Sequence, residues 1–189
     1  MTFEEDIAKA VKTLKSGGII LYPTDTIWGI GCDATNDEAV KRLFDIKQRP
    51  AAKSMLMLID DADRLYDYIT DVPEMAITLC EVSEKPITII YDNATGVSPL
   101  LIADDGSVGI RITSEHFSKE LCRRLGRPLV STSANLSGEP TSGIFAEIPD
   151  EIIDSVDYVA EYRRGENSAP APSSIVKLHS DNTFKIIRK

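Results

Sequence analysis

The run Ser54-Met-Leu-Met-Leu-Ile59 carries apolar side chains at five consecutive positions after its serine. Successive residues of a strand point to opposite faces, so such a run is hydrophobic on both faces and must be covered on both. The covering helices are legible around it. Thr2-x-x-Glu5 is a capping box ahead of Phe3, Ile7, Val11 and Leu14 at helical spacing, with Gly17-Gly18 as the stop. Thr35-x-x-Glu38 reads as a second capping box ahead of Val40, Leu43 and Phe44, a helix that must end before Pro50. Lys47 continues that inward stripe, where a lysine either snorkels to solvent or lines a cleft beside the core.

Asp60-Asp61 caps a short helix through Tyr68, a further helix covers 74–82, and Ser114 caps one carrying Phe117, Leu121 and Leu125 that Gly126 and Pro128 end. A short helix falls at 150–155. Between the helices lie strands at 19–22, closed by Pro23, at 87–91, at 108–112 and from Leu129 into a hydroxyl-rich loop. One more strand falls near Tyr158, and 174–178 with 183–187 form a final hairpin about Asp181-Asn182. This alternation predicts an α/β sandwich around a large, mostly mixed sheet, in one domain over 1–189.

The formal charge of −9 opposes a broad nucleic-acid footprint, which needs Lys and Arg to neutralise phosphates. A local basic cleft remains compatible with it. No apolar run approaches the roughly 20 residues of a membrane span, and MTFEEDIAKAVK lacks the basic start and apolar core of a secretory signal, so a soluble, cytoplasmic protein is expected. Cys32, Cys80 and Cys122 are odd in number and far apart, which suits neither a disulfide framework nor a zinc site, and they read as reduced core thiols.

Two loops stand out by chemistry. Pro23-Thr24-Asp25-Thr26 and Ser131-Thr132-Ser133-Ala134-Asn135 each follow a short apolar strand, the place where α/β sheets bind ligands, and their hydroxyls and amides suit phosphate or carboxylate oxygens. Gly29, Gly31 and Gly138 allow backbone to approach a ligand. Taken singly, each loop is better explained by turn and cap chemistry. Lys47, Arg49 and Lys53 place three cations in seven residues, suited to a triphosphate or, more blandly, to a helix C-terminus. Neither a P-loop nor GxGxxG, His-Glu-x-x-His or Gly-x-Ser-x-Gly occurs. His116 and His179 are not suggested as triad partners of Ser131 or Ser133, Asp104-Asp105-Gly106 reads as a solvated turn rather than a metal site, and Trp28 reads as structural.

Tyr22-Pro-Thr-Asp-Thr-Ile-Trp-Gly-Ile-Gly-Cys-Asp-Ala34, Ile46-Lys-Gln-Arg-Pro50 and Pro128-Leu-Val-Ser-Thr-Ser-Ala-Asn-Leu-Ser-Gly138 together resemble the YrdC-like family, the threonylcarbamoyl-AMP synthases of tRNA modification. Gly109-Ile-Arg-Ile112 and Ser173-Ser-Ile-Val176 extend the resemblance, which is to the short, single-domain form. It implies a YrdC-like α/β sandwich with a twisted sheet and a concave ligand cleft, in which ATP, L-threonine and bicarbonate yield threonylcarbamoyl-AMP and pyrophosphate. It also implies Mg²⁺ with the ATP, no direct protein ligation of metal, and downstream partners among tRNA-modification transferases and tRNA. By motif, Lys47 and Arg49 become catalytic, and Lys47, Arg49, Lys53, Thr88, Ser133, Asn135 and Thr141 bind ATP. Thr26, Arg111, Ser131 and Ser174 bind threonine. On this reading Lys47→Ala and Arg49→Ala remove most activity and leave the fold intact.

Two departures bear on the site. Glu84-Lys-Pro-Ile-Thr88 replaces the family's Pro-Gly-Pro-x-Thr element, and Ser54 stands where a proline usually follows the basic run. They motivate a rival: a YrdC-like protein that binds nucleotide or double-stranded RNA without synthase activity. A carbamoyl-transferring relative within a larger assembly is a third reading.

Overall fold

The structure is a computed structural model describing residues 1–48, 55–136, 138–139, 143–168 and 172–189. Its helices are α1 (Phe3–Lys15), α2 (Asp37–Ile46), α3 (Leu65–Tyr68), α4 (Glu74–Val82), α5 (His116–Leu125) and α6 (Asp150–Ser155). Its strands are β1 (Ile20–Tyr22), β2 (Gly29–Gly31), β3 (Leu56–Ile59), β4 (Ile87–Tyr91), β5 (Val108–Ile112), β6 (Leu129–Ser133), β7 (Tyr158–Val159), β8 (Ser174–Leu178) and β9 (Phe184–Arg188). All nine join one sheet in the order β7-β1-β2-β6-β3-β5-β4-β8-β9. It is mixed: β1 with β7, β3 with β5 and β4 with β8 run parallel, and the other neighbours antiparallel. The α/β class and mixed sheet expected from the sequence are thus the observed ones.

Local chemistry sets the element ends. The capping box of α1 forms on both sides, with Thr2 Oγ1 accepting from Glu5 N (3.2 Å) and Glu5 Oε2 accepting from Thr2 N (2.9 Å). The expected capping box at Thr35 does not form. Asn36 caps α2 by accepting from Ala39 N (3.0 Å), because Asp33 Oδ1 already engages Thr35 N (2.8 Å) and Thr35 Oγ1 (2.7 Å). Glu115 rather than Ser114 caps α5, accepting from Phe117 N (3.1 Å) and Ser118 N (2.8 Å); its two oxygens satisfy two amides where a hydroxyl would serve one. Gly126 closes α5 at φ 71. In the last hairpin Asn182 takes φ 65, a left-handed position asparagine tolerates.

One segment read as loop is a strand. Two glycines around Ile30 weaken the β propensity of Gly29–Gly31, yet it pairs on both sides, with β6 so close that a Cβ on Gly31 would lie 1.9 Å from Val130 O. Helix α1 packs on α5, β1 and β7 through Ile7, Ala10, Val11 and Leu14, all buried. On its flank, buried Asp6 accepts from Tyr158 OH (2.6 Å), Glu161 N (2.9 Å) and Tyr162 N (2.8 Å), tying the helix to the β7 edge. Cys32 and Cys122 are buried, Cys80 is half-buried, and all three are free thiols. Among the described residues no helix is long and apolar enough to cross a membrane.

Register separates the two faces. Val130, Met57, Ile110, Ile89 and Val176 are successive cross-strand partners and form an apolar face. One residue along, the opposite face receives Ser133, Ser131, Leu56, Gly109, Arg111, Thr88 and Ile175. Polar chemistry concentrates there.

Candidate active site

That second face floors a cavity of about 440 Å³. Gly29, Leu56, Thr88, Ile90, Gly109, Arg111, Ser131, Ser133, Ile175 and Arg188 rise from the sheet, and the loop from Thr24 to Trp28 and the pair Pro172-Ser173 form walls. The glycines deepen the floor: a Cβ on Gly29 would meet Ser131 Oγ at 3.1 Å, and one on Gly109 would stand in contact with Leu56 and Thr88 at 3.6 Å.

The first wall owes its shape to Thr24. Its Oγ1 accepts from Thr26 N (3.0 Å), donates to Ile27 O (2.7 Å) and lies 3.1 Å from Thr26 Oγ1, the turn chemistry the sequence allowed. Arg163 braces the loop from behind by donating to Thr24 O (3.1 Å). Trp28 is buried against Phe145, ring centroids 4.9 Å apart, while one edge reaches the cavity. Its structural role stands.

Holding Thr24 this way sets Thr26 and Asp25 against β5. Arg111 is 3% exposed; its Nη2 lies 3.0 Å from Asp25 Oδ1 and 3.4 Å from Thr26 Oγ1. Arg111 Nε and Asp25 Oδ1 have no hydrogen-bond partner among the described residues, so the contact is an ion pair lacking hydrogen-bond alignment. Burial pushes the Asp25 carboxyl up and the Arg111 guanidinium down, each opposed by the other's charge.

Across the floor, Lys47 is 1% exposed and neither snorkels nor lines the cavity. Its ammonium donates to Ser133 O (2.5 Å), to Asn135 O and to Asn135 Oδ1 (3.1 Å). Ser133 Oγ donates to Asn135 Oδ1, and Asn135 Nδ2 donates to Glu139 O (2.6 Å). The ammonium thus finds an acceptor for each of its three N–H groups in the loop that ends β6. Asn135, like Lys47, lies behind the cavity surface rather than in it.

The far end is built by β4, β8 and β9. Thr88 Oγ1 is 2.9 Å from Ser173 Oγ, both buried, so the chain keeps a threonine contact despite its altered preceding segment. Ser174, the expected threonine ligand, starts β8 opposite Ile87 and has the wrong parity: Ser173 reaches the cavity in its place. Arg188, missed by the sequence reading, also lines the cavity, with Nε and Nη2 donating to Ser173 O (3.0 and 2.7 Å). A bulge between Ile175 and Val176 sets it opposite Ile175, and no residue pattern announces that shift.

Of the residues singled out, Thr26, Thr88, Arg111, Ser131 and Ser133 therefore share the cavity, Lys47 and Asn135 support it, and Arg49, Lys53 and Thr141 lie outside the described residues. The histidines are elsewhere: His116 stacks on Phe3 at 4.4 Å, and His179 Nδ1 is 2.8 Å from Asp92 Oδ2. Asp105 is engaged by Ser107 and by Lys177 Nζ at 2.6 Å. Among the described residues no three His, Cys, Asp or Glu side chains gather as metal ligands, and the lining contains no carboxylate. Hydroxyls and guanidinium groups fit anionic ligand oxygens rather than a bare cation.

The family model Sua5/YciO/YrdC, described as telomere recombination, matches residues 12–189. The chain is 35% identical over 179 residues to a threonylcarbamoyl-AMP synthase of Idiomarina loihiensis, covering 93% of each, and 34% identical over 174 residues to that of Pseudoalteromonas translucida, covering 90% of this chain and 93% of the relative. Among solved structures it resembles P. abyssi Sua5 complexed with L-threonine, at TM-score 0.83 and 25% identity over 91% of this chain, and it spans 50% of that longer chain. E. coli YciO superposes at TM-score 0.82 with 28% identity, covering 97% of this chain and 88% of the other.

Proposed function

The chain belongs to the Sua5/YciO/YrdC family, and from that premise we propose that it is a threonylcarbamoyl-AMP synthase, condensing ATP, L-threonine and bicarbonate and releasing pyrophosphate. The observation that carries the reading is a buried guanidinium, Arg111, whose Nε has no hydrogen-bond partner among the described residues, on a cavity floor of hydroxyls, glycines, apolar side chains and one further guanidinium, Arg188. Such a group is matched to the carboxylate of a small zwitterion, with Thr26 Oγ1 beside it to meet a substrate polar group.

The nucleotide takes the rest of the floor. The Ser133 hydroxyl, and Arg188 at the opposite end, face its phosphoryl oxygens, while Ser131 stays with the threonine; Arg49, Lys53 and Thr141 join the phosphate contacts by motif. Lys47 works at one remove, fixing the Ser133–Asn135 turn that presents the Ser133 hydroxyl. Magnesium would come with the ATP and be held by its phosphates rather than by protein, which suits a cavity lined, among the described residues, by donors without carboxylates. Threonine nitrogen takes up the carbon of bicarbonate with loss of water, a carbamate oxygen attacks the α-phosphorus, and the bond to pyrophosphate breaks. Charge builds on phosphoryl oxygens, so fixed donors lower the barrier without covalent help from protein. The product then serves transfer to tRNA by other proteins in the cytoplasm.

The test is incubation with ATP, L-threonine and labelled bicarbonate. Pyrophosphate and a labelled adenylate are expected only when threonine is present. Folded protein that binds ATP yet forms no adenylate would refute the reading and favour a nucleotide- or RNA-binding role.

A further inference from the structure

We infer that Asp25 is a displaceable counter-ion for Arg111: a positioning residue that aims the guanidinium at the cavity and competes with the carboxylate of the incoming substrate. The inference deepens the proposed function and rests on its assignment of an amino acid to this end of the cavity.

The geometry differs from that of a structural ion pair in the same molecule. Arg42 grips Asp157 with two prongs, Nη1 to Oδ2 at 2.6 Å and Nη2 to Oδ1 at 3.1 Å, and Asp157 Oδ2 also accepts from Ile19 N at 2.7 Å. Both terminal nitrogens of Arg42 and both oxygens of Asp157 are hydrogen-bonded. Asp25 Oδ1 stands 3.0 Å from Arg111 Nη2 without hydrogen-bond alignment, and among the described residues Arg111 Nε has no hydrogen-bond partner, although the two side chains are only 6% and 4% exposed. A buried cation needs a neutralising partner, but a fully satisfied pair would have no donor to offer a ligand. This pair neutralises the charge and keeps the donor.

The groups facing the pair are few. Thr26 Oγ1 stands 3.4 Å from Arg111 Nη2. From the start of α5, the Glu115 carboxylate adds negative potential at Asp25, while Arg163 lies 3.6 Å from Glu115. Arg188, across the cavity, opposes the charge on Arg111. A substrate carboxylate arriving at Nε therefore brings a second anion to one guanidinium, near a third carboxylate. Protonating Asp25 relieves that crowding, and burial already raises its titration above that of an ordinary aspartate. Anion affinity should rise as pH falls through that titration, since Asp25 then ceases to compete while the substrate carboxylate, titrating lower, stays ionised.

Asparagine keeps the shape and an acceptor oxygen at position 25 but removes the competing charge; alanine removes the orientation as well. Calorimetric titration of the full chain with L-threonine, and with formate as a bare carboxylate, is carried out from about pH 4, the ordinary aspartate range, up to about pH 8. Asp25→Asn should bind both ligands several-fold more tightly than wild type near neutrality and lose the pH slope. Asp25→Ala should bind them about tenfold more weakly. ATP titration verifies a folded cavity in each. Two substitutions that shift affinity in the same direction, or a wild type without a slope that Asp25→Asn abolishes, would overturn the inference. If Asp25→Ala does not fold, the asparagine variant and the wild-type slope decide. Formate binding with the slope but no threonine binding would sink the synthase reading and leave the counter-ion standing; binding of neither would remove both.

Discussion

Replacing Lys47 with methionine separates a supporting role from direct work on the nucleotide. The substitution keeps the aliphatic length and deletes the ammonium, which leaves Ser133 O, Asn135 O and Asn135 Oδ1 without their shared donor in a place 1% exposed. One stranded acceptor, Asn135 O, at about 1–3 kcal/mol and two lost charge-assisted hydrogen bonds at about 1.5–3 kcal/mol each set an upper limit near 9 kcal/mol, since Ser133 O keeps Asn135 N and Asn135 Oδ1 keeps Ser133 Oγ. Recovery of the cost of burying an ammonium, several kcal/mol, offsets much of that, for a net loss of about 2–4 kcal/mol. In a chain of this length each kcal/mol moves the melting temperature by about 2–4 °C, so a fall of about 5–15 °C is expected by thermal circular dichroism. ATP affinity and pyrophosphate release should fall with it, because the Ser133 hydroxyl loses its orientation. This differs from the expectation drawn from motif alone, that Lys47 substitutions spare the fold. A variant melting within about 2 °C of wild type yet inactive would refute the clamp and return Lys47 to the phosphates.

Asp6→Ala should cost about 3–5 kcal/mol, measured by urea unfolding, since it strands Glu161 N and Tyr162 N and frees Tyr158 OH at the α1 contact. Gly109→Ala should fold and bind ATP, its Cβ meeting neighbours at ordinary contact distance, whereas Gly109→Leu should fold but bind ATP poorly by filling the floor. Gly31→Ala should fail to accumulate as folded protein, because its clash is with backbone of β6. Glu120 is held at about 2 by hydrogen bonds from Arg123 and then Arg124. Its contribution is therefore complete above the unfolded carboxyl value and lost as pH falls from about 4.5 towards 2, so Glu120→Gln should narrow its stability gap to wild type over that window.

Much of the scaffold was legible because helix caps and unbroken apolar runs are local signals. The bounds of α4, β4 and β5 follow from them directly. What escaped was decided at a distance. Gly29–Gly31 is a strand only because β6 closes over it, and Asn36 caps α2 only because Asp33 captures Thr35. At the site, hydroxyls on β6 and the guanidinium on β5 were readable, since strand parity follows once one face is known to be apolar. The exchange of Ser173 for Ser174 and the presence of Arg188 turn on where β8 begins and on one bulge. Lys47 was posed as snorkelling or cleft-lining, and the third outcome needed the carbonyls of a loop 86 residues away.

The order of strands also sets when the cavity can come into being. Its floor takes Gly29 from β2, Thr88 from β4, Arg111 from β5, Ser131 from β6 and Arg188 from β9, and the parallel partner of β4 is β8. A chain emerging from the ribosome can close the β1–β2 hairpin early, but β4 stays without its outer neighbour until β8 has followed β5, α5, β6 and α6. Ligand binding during synthesis cannot assist the early steps, and substrates can stabilise only the finished product. Loss of the last strand would disarm the protein while leaving its earlier hairpins intact.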